Sequence, residues 1–337
     1  MNTKHAPKYL IVPAAGKSTR YPGVAPKFLL SHPSGPTMLE MSISGLKNLK
    51  KAGYTKVFVI STAANLRDVN TSLIERGIEA RTGIPCIVHQ LEKETESIIE
   101  TLTAFLSSLP TDAEIVVKDC DNFVSMDMLV FDKAPFSLAY ASLSDFPEVS
   151  APNKSYVQLG EGNVVINFVE KRVISELFSV GMVKFSRISD FLSGADLLQT
   201  SSRELYLSDL VRALMYQGLD FFAIQTTGYK DWGTLTDWVA EKNDYKVVVV
   251  DANYLFEESV PMAVTNDYDQ TARVVDNRLA EMVSYQKRKN VQYVILGSFG
   301  EESCKWVASV LDAKGLENYT LVPMLYDTSR LLLGNRS

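Results

Sequence analysis

The amino-acid sequence predicts an α/β protein with two domains. The larger domain is expected to form a doubly wound, mixed but mostly parallel sheet, and a smaller α/β domain is expected to follow it. The length of 337 residues suits about two domains. Short β-branched apolar runs alternate with stretches whose apolar residues recur at spacings of three and four, which is typical of β-α units. With 46% apolar and 22% charged residues, the composition excludes a disordered, collagen-like or coiled-coil chain.

Five apolar runs predict the strands of the larger domain, and helix-like segments separate several of them. The runs are YLIVPAA at 9–15, KVFVIST at 56–62, CIVHQ at 86–90, EIVVKDC at 114–120 and SLAYASL at 137–143. The spacing of apolar residues predicts amphipathic helices over 37–53 and 96–109, and shorter helices over 208–217 and 235–241. Segment 156–171 predicts a hairpin that turns at Gly160 to Asn163 and interrupts the parallel order.

A polar hinge at 241–245 separates the two domains. We therefore assign residues 1–243 to the first domain and 244–337 to the second. In the second domain the pattern predicts alternating strands and helices: a strand beginning at 246, a helix over roughly 271–288, a strand over 291–298, a helix over 301–313 and a strand over 319–323.

Charge and cysteine content exclude several classes of partner. The chain carries 34 basic and 40 acidic residues, and the resulting charge of −6 gives no general attraction to nucleic acid or to an anionic membrane. No run approaches the roughly 18 apolar residues of a transmembrane helix. Cys86, Cys120 and Cys304 lack the spacing of a zinc site or a disulfide framework, so a reducing, cytoplasmic location is expected.

The loop after the first strand carries the strongest chemical signal. Small and polar residues follow the strand, and two cations, Arg20 and Lys27, come shortly after them. Backbone N–H groups of small residues can approach a polyphosphate closely, and the cations supply the charge that a triphosphate requires. The residues expected to contact the nucleotide are Ala14, Ala15, Gly16, Lys17 and Ser18.

Three aspartates are candidates for a metal site. Asp119 and Asp121 directly follow the buried strand EIVVK, and carboxylates at the carboxyl end of a parallel strand face the ligand crevice. Asp231 lies in the segment DWGT ahead of a helix. Carboxylate oxygens suit Mg²⁺, so these three side chains are candidates to hold that cation. The alternative roles are to cap a turn for Asp119 and to cap a helix for Asp231.

These segments together resemble the sugar-1-phosphate nucleotidyltransferase family over residues of about 1–240. AAGKSTR followed by Pro26-Lys27 is similar to the family's Gly-x-Gly-x-Arg loop and Pro-Lys pair, Asp121-Asn122 to its Gly-Asp-Asn segment, and DWGT to its Asp-x-Gly-Thr segment. Ser18 and Cys120 stand where glycine is usual. The resemblance implies that Arg20 stabilises the triphosphate and the departing pyrophosphate, and that Lys27 bridges the α-phosphate and the acceptor phosphate. It also implies that Asp121 and Asp231 hold Mg²⁺, with Asp119 as the weaker candidate.

Two further segments follow in the family's order. HQLEKETESIIETL at 89–102 resembles the stretch in which Gln90 would contact the base and Thr95 would open a helix. FVEKRVISELFSVGMVKFS at 168–186 is similar to the Glu-Lys-Pro segment and the glycine-containing strand after it. The resemblance implies that Glu170, Lys171 and Gly181 contact the acceptor. The alternative for Glu170 and Lys171 is a solvated pair at a strand end.

The second domain resembles the phosphatases of the haloacid dehalogenase family. KVVVVDANYLF and ILGSFGEES match two of its motifs, with Asp251 at the nucleophile position and Ser298 at the phosphate-binding position. Asn253 stands where the general acid is expected, and Gly334 and Asn335 stand where acidic residues would bind Mg²⁺. A phosphatase needs those carboxylates for proton transfer and metal charge, so we interpret this domain as catalytically inactive.

The resemblance implies an enzyme that condenses a nucleoside triphosphate with a sugar 1-phosphate, or a similar small phosphorylated acceptor, and releases pyrophosphate. Mg²⁺ is the implied cofactor, and a homo-oligomer is left open. One alternative is a metal-dependent glycosyltransferase of the GT-A type, which Arg20 and Lys27 disfavour because an activated sugar donor needs no triphosphate loop. Another is a non-catalytic sensor of nucleotides or sugar phosphates, against which the same cations and the aspartates argue.

Overall fold

The computed structural model describes residues 6–23, 26–198, 204–256, 275–288, 290–297 and 301–323. The chain divides into two compact units. Unit 1 extends to Trp238 without the short segment Pro33–Gly35, and unit 2 contains that segment and the chain from Val239 onward.

Unit 1 contains one large sheet and one small sheet. Its strands are β1 (Lys8–Pro13), β2 (Leu46–Lys47), β3 (Tyr54–Thr62), β4 (Cys86–Leu91), β5 (Glu114–Lys118), β6 (Asn122–Asp127), β7 (Ser137–Ser142), β8 (Ser155–Leu159), β9 (Val165–Glu170), β10 (Leu177–Phe185), β11 (Phe222–Gln225) and β12 (Gly228–Asp231). The large sheet has the order β11-β7-β10-β5-β1-β3-β4, and β8 and β9 join it beside β10. The small sheet has the order β12-β6-β2.

The large sheet is mixed but mostly parallel, as the sequence predicts. Strands β5, β1, β3 and β4 run parallel to one another, and so do β7 and β11. Strand β10 runs antiparallel to both of its main neighbours, β5 and β7. The predicted hairpin is confirmed as β8 and β9, with the turn at Gly160 to Asn163.

Helices connect the strands of unit 1. Their bounds are α1 (Met38–Ser44), α2 (Thr71–Thr82), α3 (Ile98–Leu106), α4 (Met128–Phe131), α5 (Ile188–Asp196), α6 (Leu207–Tyr216) and α7 (Leu235–Asn243). Side-chain caps set several of the starts: Thr37 forms a capping box with Glu40 at α1, and Ser97 accepts a hydrogen bond from the Glu100 amide at α3.

The predicted helix over 37–53 is wrong beyond Ser44. At Gly45 the chain passes so close to β6 that a Cβ atom would lie 2.3 Å from the carbonyl oxygen of Val124. The next residues then form β2, which pairs with β6 in the small sheet. The apolar spacing of 46–53 therefore reflects packing of a short strand and turns, which the helical period alone does not distinguish.

Apolar side chains cover both faces of the large sheet. Alternate side chains of β1 pack on opposite faces of the sheet: Leu10 and Val12 lie in the core on one face, and Ile11 lies in the core on the other. Helices α3 and α6 contribute Phe105 and Leu210 to the second face. Because apolar side chains cover both faces of the large sheet, a site for a polar ligand in unit 1 is expected at the ends of the strands.

Unit 2 is a small α/β structure with a parallel sheet. Strands β13 (Tyr245–Asp251), β14 (Asn290–Gly297) and β15 (Tyr319–Pro323) pair in that order, and helices α8 (Asp276–Arg288) and α9 (Glu301–Ala313) connect them. Asp251 is exposed at the carboxyl end of β13. The Asn253 side chain, Ser298, Gly334 and Asn335 lie outside the described residues. Across the described parts of the chain, no helix combines the length and the apolar character needed to cross a membrane.

Candidate active site

The candidate site lies at the carboxyl ends of the parallel strands of unit 1. Residues 14–20 leave the end of β1, and the acidic turn 119–121 leaves the end of β5. These two strands are direct neighbours in the sheet, with Ile11 opposite Val117. The loop and the acidic turn are therefore brought together by strand pairing, as expected for the ligand crevice of an α/β sheet.

The loop after β1 is held from the side of β3. The Ala14 amide donates to the carbonyl of Ile60 at 2.7 Å, and the Ser61 hydroxyl donates to the carbonyl of Ala14 at 2.8 Å. The Asn65 side-chain amide donates to the carbonyls of Ala14 and Gly16 at 3.3 and 3.2 Å. A Cβ atom at Gly16 would meet nothing within 4 Å, so the backbone there faces open space.

The far end of the loop turns back to Lys27. Ser18 has a left-handed backbone with φ 52°, and its hydroxyl accepts a hydrogen bond from the Lys27 amide at 3.3 Å. Lys17 points instead towards the chain after β4, where its ammonium lies 3.8 Å from Glu94 and 3.6 Å from Glu96. All three of these charged side chains are mostly exposed, so both ion pairs are weak.

Lys27 and Asp121 form a close ion pair in the crevice. The Lys27 ammonium donates to Oδ2 of Asp121. Burial opposes ionisation of Asp121, but the charge and hydrogen bond of Lys27 outweigh it and lower the pKa of Asp121 to about 2. Burial also opposes the charge on Lys27, yet Asp121 raises the pKa of Lys27 above its ordinary value. Both groups are therefore charged at neutral pH.

The small sheet brings Asp231 beside Asp121. Asp231 lies opposite Asn122 in the β12–β6 ladder, and the Trp232 amide donates to the carbonyl of Asp121 at 2.9 Å. The side chain of Asp231 is fully engaged: Oδ2 lies 2.7 Å from the Lys154 ammonium, and Oδ1 accepts from the Gly233 amide at 3.2 Å. Two aspartates that are far apart in the sequence thus end on adjacent strands.

Arg20 flanks the same glycine as Asp231. A Cβ atom at Gly233 would lie 3.3 Å from Oδ1 of Asp231 and 3.4 Å from Nη1 of Arg20. The Leu235 amide donates to the Arg20 carbonyl at 3.2 Å, which ties the loop to the start of α7. The guanidinium of Arg20 is exposed and makes no hydrogen bond or ion pair to any residue that the structure describes. It is available to an anionic ligand.

Asp119 occupies a buried corner beside Gly181. The Asp119 amide donates to the carbonyl of Gly181 at 2.8 Å, and a Cβ atom on that glycine would lie 1.9 Å from Oδ2 of Asp119. Burial, and then the charge of Asp121, raises the pKa of Asp119 to about 7. Gly181 therefore makes room for Asp119, and the Asp119 carboxylate has no hydrogen bond or ion pair among the described residues.

Lys118 organises the acidic turn from within the sheet. Its ammonium donates to the carbonyls of Asp119 and Asn122 at 2.7 and 3.0 Å and also to the side-chain oxygen of Asn122. Asn122 in turn donates to the carbonyl of Val180 at 3.0 Å. Burial lowers the pKa of Lys118 to about 8. This fully buried lysine fixes the path of the chain between β5 and β6.

Two of the three residues expected to contact the acceptor lie at the end of the hairpin. Glu170 accepts from the hydroxyls of Ser155 and, at 3.1 Å, Ser208. Lys171 donates to the hydroxyl of Tyr206 at 2.8 Å, and its ammonium lies 4.5 Å from the centre of that ring. Both side chains therefore have partners in unit 1, with Glu170 half-buried and Lys171 exposed at the end of β9.

Gln90 and Thr95 have different surroundings. Gln90 is exposed at the end of β4 and lines a cavity of about 440 Å³. The side chains around it come from the ends of β3 and β4 and include Thr62 and Arg67. Thr95 does not open α3, because Ser97 is the cap of that helix. The Thr95 hydroxyl instead shares a hydrogen bond with Thr101 at 2.5 Å.

The carboxylates fit a magnesium ion that arrives with phosphates. Asp121 is ionised, and Asp121 and Asp231 offer the hard oxygen ligands that Mg²⁺ prefers. The described residues contain no group of three or more His, Cys, Asp or Glu side chains suited to hold a metal. Mg²⁺ commonly uses one or two carboxylates and takes its remaining ligands from water and substrate phosphates, which is the donor set available here.

Several residues of this site carry no signal in the sequence. Lys154 and Lys118 are single lysines, one in a polar loop and one at the end of an apolar run, and neither belongs to a recognisable motif. Tyr229, whose hydroxyl accepts from Lys154 at 2.7 Å, also lacks one. Their roles depend on contacts between distant segments, which only the fold reveals.

No protein-family model matches the chain, and no curated protein sequence gives a significant match. Solved structures do match its fold. One is a nucleoside-diphosphate-sugar pyrophosphorylase from Vibrio cholerae, with a TM-score of 0.57 and 22% identity, covering 69% of this chain and 99% of that one. An inositol-1-phosphate CTP transferase from T. maritima has a TM-score of 0.53 and 15% identity, covering 69% and 91%.

A UDP-glucose pyrophosphorylase in complex with UDP-glucose matches with a TM-score of 0.54 and 16% identity, covering 70% of this chain and 97% of that one. At these identities the likeness shows the fold. The chain therefore shares the mixed α/β architecture of nucleotidyltransferases, and the matched chains are covered almost from end to end. What this chain does must be argued from its own residues.

Proposed function

We propose that this chain is a nucleotidyltransferase that condenses a nucleoside triphosphate with a sugar 1-phosphate or a similar small phosphorylated acceptor. The observation that carries the proposal is the meeting of Arg20, Lys27, Asp121 and Asp231 at one edge of the sheet. An open guanidinium and a lysine beside ionised carboxylates suit a triphosphate with its divalent cation. The names of the structures with the same fold agree with this class of reaction.

The reaction is an in-line displacement at the α-phosphorus. An oxygen of the acceptor phosphate forms the new P–O bond, the bond from the α-phosphorus to the bridging oxygen of the β-phosphate breaks, and pyrophosphate leaves with that electron pair. Arg20 would stabilise the triphosphate and the leaving pyrophosphate, and Lys27 would neutralise the α-phosphate and the acceptor phosphate. Such sites act by positioning and by charge stabilisation, so no covalent protein intermediate is required.

Asp121 and Asp231 would hold Mg²⁺ in this reaction, and the ion would supply positive charge to the phosphates. Asp119, which packs against Gly181, is the weaker candidate for the ion. The acceptor would be contacted by Glu170 and Lys171 at the end of the hairpin. The backbone of Gly181 would border it.

The nucleotide would lie along the loop of residues 14–18, with its base towards the cavity at the ends of β3 and β4. The backbone at Gly16 faces open space and the side chain of Gln90 is exposed, and both observations support this orientation of the nucleotide. Thr95 would support the base side through the segment that leads into α3.

Residues 1–243 would form this catalytic domain and residues 244–337 an inactive domain of the haloacid dehalogenase type. Asp251 ends β13 as a nucleophile of that family would, but Asn253 cannot act as an acid. We expect no phosphatase activity on small phosphomonoesters. Phosphate release that Asp251→Ala abolishes in a folded protein would show a second activity instead.

Pyrophosphate release tests the proposed transferase directly. The protein is incubated with Mg²⁺, each nucleoside triphosphate in turn and a panel of sugar phosphates, and the expected result is release with one pair that EDTA stops. Arg20→Ala is the matched inactive control, because the exposed Arg20 side chain has no hydrogen bond or ion pair within the described residues. Transfer of sugar from a nucleotide sugar without pyrophosphate would identify a glycosyltransferase, and ligand binding without turnover would identify a sensor.

A further inference from the structure

Lys154 is a buried cation at the point where the hairpin meets Asp231. It directly precedes β8, and only 10% of its side chain is exposed. The ammonium lies 2.7 Å from Oδ2 of Asp231 and donates to the hydroxyl of Tyr229 at 2.7 Å. It also lies 5.1 Å from the centre of the Tyr229 ring and 5.9 Å from that of Phe178. This lysine is therefore held by the charge of Asp231 and by the hydroxyl of Tyr229, with the Phe178 ring nearby.

Both oxygens of Asp231 already have a partner, and the partner of one of them is a cation. Oδ1 accepts from the Gly233 amide and Oδ2 is in contact with the Lys154 ammonium. The Lys154 ammonium at Oδ2 repels a divalent cation that approaches Asp231, so the cation binds this carboxylate better when the ammonium moves away. Lys154 thus competes with the cation for the same ligand atom.

The Tyr229 hydroxyl gives Lys154 a partner that remains after the ammonium leaves Asp231. This hydrogen bond and the nearby Phe178 ring stabilise an ammonium without help from the carboxylate. The backbone of Lys154 is anchored in the hairpin, where its carbonyl accepts from the Lys171 amide at 2.9 Å. A small rotation of the flexible lysine stem can therefore move the charge between Asp231 and an anion on the acceptor side without moving the strand.

We propose that Lys154 is an internal counter-ion that competes with the divalent cation for Asp231, so that the chain binds the cation tightly only when phosphates are present to attract the lysine. The proposal rests on the proposed function for the identity of those phosphates. In this proposal Lys154 determines the order in which ligands bind. The cation binds weakly on its own and binds tightly when it arrives together with the nucleotide.

The affinity of the nucleotide-free protein for Mn²⁺ tests this proposal directly. Electron paramagnetic resonance measures the concentration of free Mn²⁺ during the titration. Lys154→Met removes the charge and keeps most of the stem, and Lys154→Arg keeps the charge. We expect Lys154→Met to tighten Mn²⁺ binding by about tenfold, the effect of removing one close competing charge, and Lys154→Arg to leave it near wild type. Lys56→Met, which removes an exposed lysine from β3, controls for the change in net charge.

The double variant Lys154→Met with Asp231→Asn locates the ion. It should lose the whole gain in affinity. Unchanged or weaker Mn²⁺ binding in Lys154→Met, with circular dichroism like that of the wild type, overturns the proposal, and so does a gain that survives Asp231→Asn. If the gain depends on Asp231 but no triphosphate is turned over, the counter-ion role stands and the proposed transferase activity fails.

Discussion

Two clusters of charged side chains lie at opposite ends of the large sheet, and they are built differently. The amino-end cluster is defined by Lys8, Tyr54, Glu114, Asp132 and Lys184. The carboxyl-end cluster is defined by Arg20, Lys27, Lys118, Lys154, Asp119, Asp121 and Asp231.

In the amino-end cluster every charge has several partners of opposite sign. Lys8 lies 2.8 Å from Glu114 and 2.9 Å from Asp132, and Lys184 lies 3.2 and 3.4 Å from the same two carboxylates. The Tyr54 hydroxyl also donates to Asp132 at 2.8 Å. In the carboxyl-end cluster, Asp121 and Asp231 each have one lysine, and Arg20 has no ion pair among the described residues.

Comparing the two clusters distinguishes charged side chains that stabilise the fold from charged side chains that can bind a ligand. Two cations that satisfy two carboxylates leave nothing for a ligand, so the amino-end cluster can only stabilise unit 1. The carboxyl-end cluster has more cations than carboxylates and an open guanidinium. Its charges are therefore satisfied only when an anion such as a polyphosphate is added.

The largest expected effect is on stability, from Lys184→Met in the amino-end cluster. Only 2% of the Lys184 side chain is exposed, and its removal leaves two buried carboxylates with one remaining lysine. Breaking a buried ion pair in this way should lower the free energy of unfolding by about 3 kcal/mol. Urea denaturation measures it, with the exposed Lys56→Met as control. A loss no larger than that of the control would show that the two clusters do not differ.

In contrast to Lys184→Met, Lys27→Met should change activity more than stability. On the proposed function it removes a charge that stabilises the transferred phosphate, so kcat/KM for pyrophosphate release should fall by at least roughly 100-fold. Its effect on the urea midpoint should be smaller than that of Lys184→Met, because the crevice is open and Arg20 and Lys154 also act on Asp121. Near wild-type turnover would remove Lys27 from the proposed chemistry.

Gly181→Ala tests how tightly the carboxyl-end cluster is packed. The added Cβ atom would meet Asp119 at 1.9 Å, and φ at this glycine is +68°. We expect a loss of about 2 kcal/mol in the free energy of unfolding, since both overpacking and the left-handed backbone contribute.

Gly162→Ala is the matched control for this prediction, because its φ is also +68° and nothing lies within 4 Å of its Cβ position. It should cost only the backbone part, about 1 kcal/mol. Adding Asp119→Ala to Gly181→Ala should recover most of the difference. Equal losses in the two glycine variants would mean that Asp119 does not pack against Gly181 in solution.

The last prediction concerns thiol chemistry at the same cluster, where neither activity nor stability changes. Cys120 stands between Asp119 and Asp121, yet burial raises its pKa to about 12, as it does for Cys86. With so little thiolate at pH 8, both should react with a thiol reagent roughly a thousandfold more slowly than an ordinary cysteine. Mass spectrometry of partly labelled protein measures this, with urea-unfolded protein as the control. Rapid labelling of Cys120 in native protein would show that the crevice extends deeper than the structure indicates.

The sequence predicts the central part of the fold well, for a physical reason. Strands β1, β3, β5 and β7 are largely apolar on both faces, so their runs stand out against polar loops. Strands β11 and β12 are only four residues long each, and half of the predicted helix over 37–53 is a strand with turns. Such short elements depend on their neighbours, which a local pattern does not contain.

The same limit applies to the candidate site. Lys27, Asp121 and Asp231 could be found because each lies in a motif, and the structure shows their contacts with the neighbouring strands. Lys154 could not, because nothing around it marks it as different from other lysines. The sequence predicts a helix that begins at Thr95, but Ser97 caps it, because two hydroxyl residues so close together offer equivalent caps to a sequence pattern.

Because the β6–β12 ladder joins an early segment of the chain to a late one, the crevice can form only late in translation. Asp121 leaves the ribosome more than a hundred residues before Asp231, and only the pairing of the late strand β12 with the early strand β6 brings them together. A nascent chain that has completed β5 and β6 therefore holds Lys27 and Asp121 without Asp231 or Lys154. The charges needed for a polyphosphate assemble only after the last strand of unit 1 is added, so a truncated chain would expose acidic and basic groups without forming the complete crevice.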